Sequence, residues 1–401
     1  MYSGYLSFNG VEILNASRAG AYARYGIPGI EIKCDDTGLR AALGHATYTY
    51  PSRDKAPWFQ GARQATGRFY GLYPSKIEGT ENSTREVDVT EKSSSGAVIT
   101  APRHASREIR VVATAFAADE EAMGEGLAWL RDVLTGEGCS EGDDGCMGRT
   151  LRMFAYRPLT RVAAHGATRE FYTVEVTDGP KVRKKHPMPQ GLAWEVEFTF
   201  TAGVPWAFSL RSDVATLALD EGTNFQDPAG ENCGITADPY DDFVGDPFFG
   251  GIARPPKPPV ILPPNILDIN SWRRRTATIP SSQSQRWGRV VPYVSILTEN
   301  AVQFVRLRFY RQGRSGCDFD GEFLVSYIPS TAILTLDAIR RKATLRLSDG
   351  RTVPAGHLLF GSDGRPFLWP TLGCQYNYSV TVDIMPNQPG VAVVLETAVR
   401  E

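Results

Sequence analysis

Alternation of apolar and polar side chains constrains this chain more than any other sequence feature. From Trp194 to Phe200, large apolar residues occupy every second position. Successive side chains of a strand point to opposite faces of a sheet, so this pattern predicts a strand with one apolar and one solvated face. Similar alternation predicts strands at residues 107–116 and 170–176, the latter ending at residues 178–180 (Asp-Gly-Pro).

Two local signals predict other elements of the N-terminal half. Asn9-Gly10 separates two alternating segments and suits a type I′ turn, which predicts a β-hairpin over residues 5–14. Asp119 is a good helix N-cap, apolar residues then recur at helical spacing, and Gly136 ends the pattern. Because glycines interrupt this helix, we expect packing rather than propensity to hold it.

A change in composition divides the chain. Residues 220–264 are rich in Gly, Asp, Asn and Pro. Dense prolines favour an extended polyproline II backbone, which predicts a semi-rigid linker between an N-terminal domain, residues 1–219, and a C-terminal domain, residues 265–401.

Alternation returns after the linker, where Val305, Leu307 and Phe309 are interleaved with Arg306 and Arg308. Further short strands are predicted at residues 332–336, 343–347 and 391–395. Short strands without a convincing helix predict a β-sandwich or jelly roll. The whole chain is therefore predicted to be mainly β with one or few helices, an α+β fold.

The charge balance excludes some classes of function. The chain has 43 Lys and Arg against 45 Asp and Glu, a net charge of −2, so no global field holds nucleic acid or an anionic membrane. No apolar run approaches the ~18 residues of a membrane span, and the first residues do not form a secretory signal. We expect synthesis in a cytoplasm and no membrane anchoring.

Two patterns are similar to catalytic sites, but neither predicts an enzyme. Residues 138–142 fit the nucleophile-elbow pattern around Ser140, yet they follow a helix, whereas the elbow needs a strand-to-helix turn. Glu195 and Glu197 lie about 7 Å apart on one strand face, as the paired carboxylates of glycoside hydrolases can. Nothing nearby predicts a raised pKa for either, which favours a solvated face. We expect no catalytic residue and no cofactor.

The candidate metal ligands match no known spacing. Cys139 and Cys146 share one loop without two further zinc ligands, so they are either free thiols or a short-loop disulfide. Four linker aspartates do not match a calcium loop. They are Asp238, Asp241, Asp242 and Asp246.

Two basic runs and three aromatic residues are candidate contact residues. The first run is Lys181, Arg183, Lys184 and Lys185, and the second is residues 273–275. Each run is either a solvated loop or a contact to an acidic neighbour or to passing DNA. Amphipathic rings can stack on sugars, although such rings more often belong to a core. The candidate sugar-stacking residues are Trp369, Tyr376 and Tyr378.

The order of these elements resembles a known family. The hairpin is followed by the strand–helix unit at residues 109–134, a Cys-bearing loop and the segment 194–206 (WEVEFTFTAGVPW). This order resembles the distal tail protein, a minor tail protein of long-tailed, siphovirus-type actinobacteriophages. Residues 333–337, 341–345 and 367–374 resemble the galectin-like second domain of such proteins.

The resemblance implies a structural protein of the virion tail tip, assembled in the host cytoplasm. In that family an N-terminal β-sandwich forms a belt, commonly a hexameric ring, that continues the tail tube, and the second domain supports host attachment. The implied partners are copies of the chain, the tail tube protein, the tail-tip hub and other minor tail proteins, with DNA passing only transiently. The basic run at residues 181–185 would line the lumen or a subunit contact.

Two other functions stay open from the residues alone. The C-terminal sandwich could act as a carbohydrate-binding adhesin that recognises host cell-wall polysaccharide through its aromatic residues. A tail-borne hydrolase is the third candidate, and the motifs support it least.

Overall fold

The computed structural model describes residues 1–30, 32, 36–82, 84–92, 95–136, 149–225, 272–281, 288–314, 318–361, 367–385 and 388–401. The chain forms two compact units, Met1–Leu210 and Arg211–Glu401. The sequence placed residues 211–219 in the first domain, whereas Ser212–Ala218 is a strand paired with the C-terminal strand. Residues 223–225, expected in the linker, pair with Trp272–Arg274. Linker residues 226–264 lie outside the described residues.

The first unit contains four helices within the described residues: α1 (Ala16–Gly26), α2 (Thr37–Leu43), α3 (Glu120–Thr135) and α4 (Arg161–Ala167). Its strands are β1 (Tyr2–Phe8), β2 (Val11–Asn15), β3 (Phe69–Glu78), β4 (Arg85–Glu86), β5 (Val89–Glu91), β6 (Ala97–Ile99), β7 (Arg103–His104), β8 (Arg107–Ala117), β9 (Arg149–Phe154), β10 (Thr168–Met188), β11 (Gly191–Ala202) and β12 (Phe208–Ser209).

Seven strands of the first unit form one closed sheet. The order is β11-β8-β3-β2-β1-β9-β10, and β10 pairs again with β11. All of these pairings are antiparallel except β2–β3, which is parallel at Leu14 and Leu72. The mainly β prediction is confirmed, but the expected N-terminal β-sandwich is one closed sheet instead of two stacked sheets. Closure occurs because β10 is long enough to pair with β9 at one end and with β11 along the rest.

The predicted hairpin is confirmed as β1 and β2. Asn9 and Gly10 have φ angles of 48° and 82°, as a type I′ turn requires. The sequence analysis missed α1, which follows β2 directly. The side chain of Asn15 caps it by accepting a hydrogen bond from the Arg18 amide at 3.0 Å.

The expected end of β10 at residues 178–180 is wrong, because the strand continues to Met188. Its register against β11 shifts on both sides of Asp178. Gly179 adopts a left-handed φ of 96°, and Pro180 lies where the ladder is interrupted and needs no amide donor. Bulges therefore absorb the residues that would otherwise end the strand.

The second unit is built from two antiparallel sheets. One has the order β13-β25-β16-β19-β20-β21, with β23 also paired to β16, and the other has the order β14-β15-β24-β17-β18-β22. The strands are β13 (Ser212–Ala218), β14 (Thr223–Phe225), β15 (Trp272–Ile279), β16 (Arg289–Thr298), β17 (Val302–Arg311), β18 (Gly321–Ile328), β19 (Ala332–Asp337), β20 (Lys342–Arg346), β21 (Thr352–Pro354), β22 (Leu359–Phe360), β23 (Leu372–Gly373), β24 (Tyr378–Ile384) and β25 (Val391–Arg400). Both sheets bury rows of alternating apolar side chains, as predicted.

Helix α3 confirms the predicted helix and its capping. The Asp119 carboxylate accepts a hydrogen bond from the Ala122 amide at 2.9 Å. At Gly126 an added Cβ would lie 2.2 Å from the buried ring of Phe69, whereas at Gly124 it would meet nothing within 4 Å. The two glycines therefore have different roles, and only Gly126 is required for close packing.

We expect Gly126→Ala to lower the free energy of unfolding by about 1–3 kcal/mol, because the methyl group overpacks the core against Phe69. Gly124→Ala is the matched control and should raise it by about 0.5–1 kcal/mol, because alanine favours the helix. Urea unfolding followed by circular dichroism measures both. Equal effects of the two substitutions would contradict this packing.

Candidate functional site

One exposed apolar surface of the first unit lies on a hairpin that we call the arm, whose described residues are 79–82, 84–92 and 95–106. It connects β3 to β8 and contains two short ladders, β4–β7 near its root and β5–β6 near its tip. The Asp88 and Thr100 backbones are joined by an amide-to-carbonyl hydrogen bond of 3.0 Å between the ladders. The described residues of the arm therefore pair as two antiparallel strands.

The arm exposes aliphatic side chains that soluble proteins normally bury. Val89 is 58% exposed and Ile99 is 67% exposed, and the two lie directly opposite each other on β5 and β6. Val87 and Val98 are exposed as well. Cross-strand partners share one face of a ladder, so Val89 and Ile99 form a contiguous apolar surface. A contiguous exposed apolar surface indicates a protein interaction site.

A buried arginine fixes the root of the arm. The Arg107 guanidinium donates hydrogen bonds to the carbonyl oxygens of Pro205 at 2.6 Å, Gly79 at 2.8 Å and Asn82 at 2.9 Å. Burial lowers the pKa of Arg107 from its ordinary value, but a guanidinium stays protonated in proteins. Three carbonyl dipoles therefore stabilise its buried charge. The same hydrogen bonds fix the direction in which the arm leaves the closed sheet.

Gly79 is required at the same root. It has a left-handed φ of 88°, and an added Cβ would lie 1.9 Å from the Glu108 carbonyl oxygen. Near the other end of the root, the rings of His104 and Trp206 are 5.2 Å apart. Contacts with the rest of the first unit thus fix both ends of the arm, whereas Val89 and Ile99 near its tip are exposed.

A second apolar surface lies beside helices α2 and α4, and we call it the α2–α4 patch. Its members are Tyr156, Leu159 and Val162, of which Leu159 is 65% and Val162 86% exposed. Gly38 of α2 packs close to this segment, since an added Cβ would lie 3.0 Å from the Pro158 carbonyl oxygen. The patch is therefore exposed on a firmly packed base.

Asp36 anchors that base. Its carboxylate accepts hydrogen bonds from the Leu39 amide at 2.9 Å, from Arg157 at 3.0 Å and from the Tyr2 hydroxyl. Burial raises the pKa of Asp36, but these hydrogen bonds outweigh burial, so the pKa is lowered overall. The carboxylate thus stays charged and caps α2.

The first basic run lies on the outer half of β10, where all four of its side chains are exposed. Lys181 pairs with Asp178 at 2.6 Å, and Lys185 lies 4.2 Å from the centre of the Trp194 ring. Arg183 binds Glu197, while Lys184 forms no ion pair among the described residues. The run is part of a strand, not a loop, and half of its charge is matched by acidic residues of this chain. Its contact with a partner or a lumen stays a prediction.

The predicted solvated face of β11 is wrong at Glu197. Its carboxylate receives two hydrogen bonds from Arg110 and two from Arg183, at 2.8–2.9 Å. The hydrogen bonds from Arg110 and then Arg183 lower the pKa of Glu197 to about 2. A carboxylate held in this way cannot serve as a general acid, since that role needs a raised pKa. Glu195, the other member of the pair, is half-buried.

The second basic run and the arginines of β17 are also held by acidic residues, within the second unit. Asp383 is fully buried and binds Arg274 at 2.6 Å and Arg306 at 2.9 Å. Arg308 is buried as well and binds Glu322 at 2.5 Å. Arg306 and Arg308 are thus buried on the face opposite Val305, Leu307 and Phe309, where carboxylates of the same unit neutralise them.

The three sugar-stacking candidates do not form one exposed face. Tyr378 is buried, its hydroxyl donates to Asp320 at 2.7 Å, and its ring presents no face to a ligand. Tyr376 is partly covered by the Arg311 guanidinium, 4.3 Å from its centre. Trp369 is half-buried and packs against Phe367, with ring centres 5.0 Å apart. Of the three candidates, only Tyr378 therefore belongs to the core.

Several sequence-based candidates lie outside the described residues. They are Cys139, Ser140, Cys146, Asp238, Asp241, Asp242 and Asp246. Within the described residues, no group of three or more His, Cys, Asp or Glu is arranged to hold a metal ion. No helix in that part of the chain is long and apolar enough to cross a membrane.

The sequence analysis missed both apolar surfaces. The sequence did contain a signal for the arm, because two short segments rich in β-branched residues, around Val89 and Ile99, flank the Ser-Gly sequence at residues 93–96. Nothing in the sequence separates Val89 and Ile99 from aliphatic residues of the core, since exposure depends on what the fold places next to them.

Comparison with known proteins gives likenesses in structure only. No family model and no curated protein matches the chain. The Dit protein of phage SPP1, described as a paradigm of the hub adsorption apparatus in phages that infect Gram-positive bacteria, is 13% identical, with 83% of this chain and 94% of that chain covered and a TM-score of 0.41. A chain of the phage p2 baseplate in its activated conformation with Sr is 8% identical. The match covers 82% of this chain and 90% of that chain, with a TM-score of 0.37. Both TM-scores lie below 0.5, a level at which a shared fold is not established.

Replacing Glu197 tests the ion-pair network on β11. The folded pKa of about 2 lies below the ordinary glutamate value of 4.5, so the charged carboxylate stabilises the fold above about pH 4.5, and this contribution is lost as the pH falls toward 2. We expect Glu197→Gln to unfold at a lower temperature than the parent chain near neutral pH. The difference should shrink below about pH 4.5.

Glu195→Gln is the matched control on the same strand, because Glu195 forms no ion pair among the described residues. Thermal unfolding across the acid range measures both variants. A deficit of Glu197→Gln that stays constant down to the lowest pH would show that the network does not depend on the carboxylate charge.

Proposed function

We propose that this chain is a structural component of a phage tail tip. In this proposal its first unit assembles with further copies into a ring, hexameric in number, that joins the tail tube to the baseplate or host-recognition apparatus. The second unit supports host attachment, and the chain carries out no catalysis. The sequence resemblance to distal tail proteins motivates the phage setting.

The exposed face of the arm is the observation that carries the assembly proposal. Val89 and Ile99 form an apolar surface on a hairpin whose root is fixed by Arg107. A folded chain gains little from an ordered projection that leaves aliphatic side chains in water, whereas an assembly gains by burying them. Because the arm leaves the closed sheet in a fixed direction, its contact with a neighbour would lose little conformational entropy.

A ring follows if the surface that contacts the arm lies elsewhere on the neighbouring copy. Such a heterologous, head-to-tail contact generates a closed ring whenever the rotation between copies closes. The carbohydrate-binding adhesin has less support, because the ring of Tyr378 is buried and that of Tyr376 is partly covered.

The arm variant Val89→Asp/Ile99→Asp tests the assembly. Native mass spectrometry of the full chain should show closed rings for the parent. For the variant we expect monomers over at least a tenfold range of concentration, because two carboxylates cannot be buried in an apolar contact. Leu368→Asp is the control, since Leu368 is an aliphatic residue even more exposed than Val89 and Ile99 but lies in the second unit; this variant should form rings like the parent.

Two results would remove the proposal. One is a parent chain that stays monomeric both when purified at high concentration and in tail extracts. The other is a variant that forms rings as readily as the parent.

A further inference from the structure

We propose that the arm of one copy docks on the α2–α4 patch of the next copy, with Glu91 of the arm facing Arg161 beside the patch. This inference rests on the proposed ring and goes beyond it by naming the two surfaces that meet. Both belong to the first unit, so the contact needs no other protein.

The two surfaces match in chemistry. The arm presents Val89 and Ile99, and the patch presents Tyr156, Leu159 and Val162. Both sets are large and apolar, and both stand on firmly held backbone. Packing one against the other would remove most of the exposed apolar side chains of the arm and the patch from water at once.

The charges beside the two surfaces also match. Glu91 lies two residues after Val89 on β5, so its side chain is on the same face of the arm as Val89. Arg161 is the first residue of α4 and directly precedes Val162 of the patch. Among the described residues neither Glu91 nor Arg161 forms an ion pair. Each is thus a single charge next to an apolar surface, and the two charges have opposite sign.

The positions of the surfaces suit a flat ring. Met1 and Tyr2 are neighbours in the chain, and they connect the root of the arm to the base of the patch. The Met1 nitrogen contacts Glu81 in the arm, and the Tyr2 hydroxyl donates to Asp36 at the N-cap of α2. The root of the arm and the base of the patch are therefore close to each other in the first unit. A head-to-tail contact between surfaces at one level can close without a helical rise.

Charge exchange tests the contact. Glu91→Arg alone and Arg161→Glu alone should each raise the concentration needed for ring formation by about tenfold, since each brings like charges together next to an apolar contact. The double variant Glu91→Arg/Arg161→Glu should restore assembly to the parent value. Native mass spectrometry over a dilution series measures all four chains, and circular dichroism checks that each is folded.

A mixing experiment separates contact between copies from contact within one copy. Val89→Asp/Ile99→Asp chains carry an intact patch, and Val162→Asp chains carry an intact arm, so an equimolar mixture still contains one productive contact per pair of copies. We expect mixed dimers, and neither variant alone should associate.

The outcomes distinguish the two proposals. If the parent forms rings but Val162→Asp forms them equally well, or if the double charge variant is no better than the single ones, the arm does not dock on this patch and the ring proposal stands. If the parent forms no rings under any condition, the proposed function fails. Rescue by the double variant together with mixed dimers supports the docking.

Discussion

The Arg107 guanidinium connects the closed sheet of the first unit to its arm. A buried cation must be compensated, and here two backbone carbonyls at the start of the arm and the Pro205 carbonyl beyond β11 provide the compensation. The same contacts force residues 79–82 and residue 205 into one arrangement around β8. An element that carries little core of its own is thereby held in a defined direction, which is the property an assembly surface needs.

Arginine–carboxylate pairs between strands recur in both units and depend on pairing that local sequence patterns do not contain. Arg306 and Arg308 alternate with apolar residues, and alternation alone predicts that they face water. Both are buried, because Asp383 and Glu322 lie on the neighbouring strands β24 and β18. The position of a carboxylate on a paired strand is a property of register between distant segments, which local periodicity does not contain. The same holds for Glu197, whose partners Arg110 and Arg183 come from two other strands.

Local patterns predicted local structure well. The turn at Asn9-Gly10, the capped helix after Asp119 and the alternating strand through Phe198 depend on neighbours in sequence, and each is present. Closure of the sheet and the continuation of β10 through its bulges depend on distant pairing and were not predictable. Helix α1 was missed because its apolar residues are mostly small alanines that give weak periodicity. The candidate site was missed for the opposite reason, because Val89 and Ile99 have the composition of a core strand and only the fold shows that nothing in the described part of the chain covers them.

The central claim is that the aliphatic face of the arm is buried by a second copy of the chain. Cryo-electron microscopy of the assembled ring, at a resolution that shows side chains, tests it most directly. The account predicts Val89 and Ile99 in van der Waals contact with a neighbouring copy. An assembled ring in which both side chains remain in solvent would contradict it.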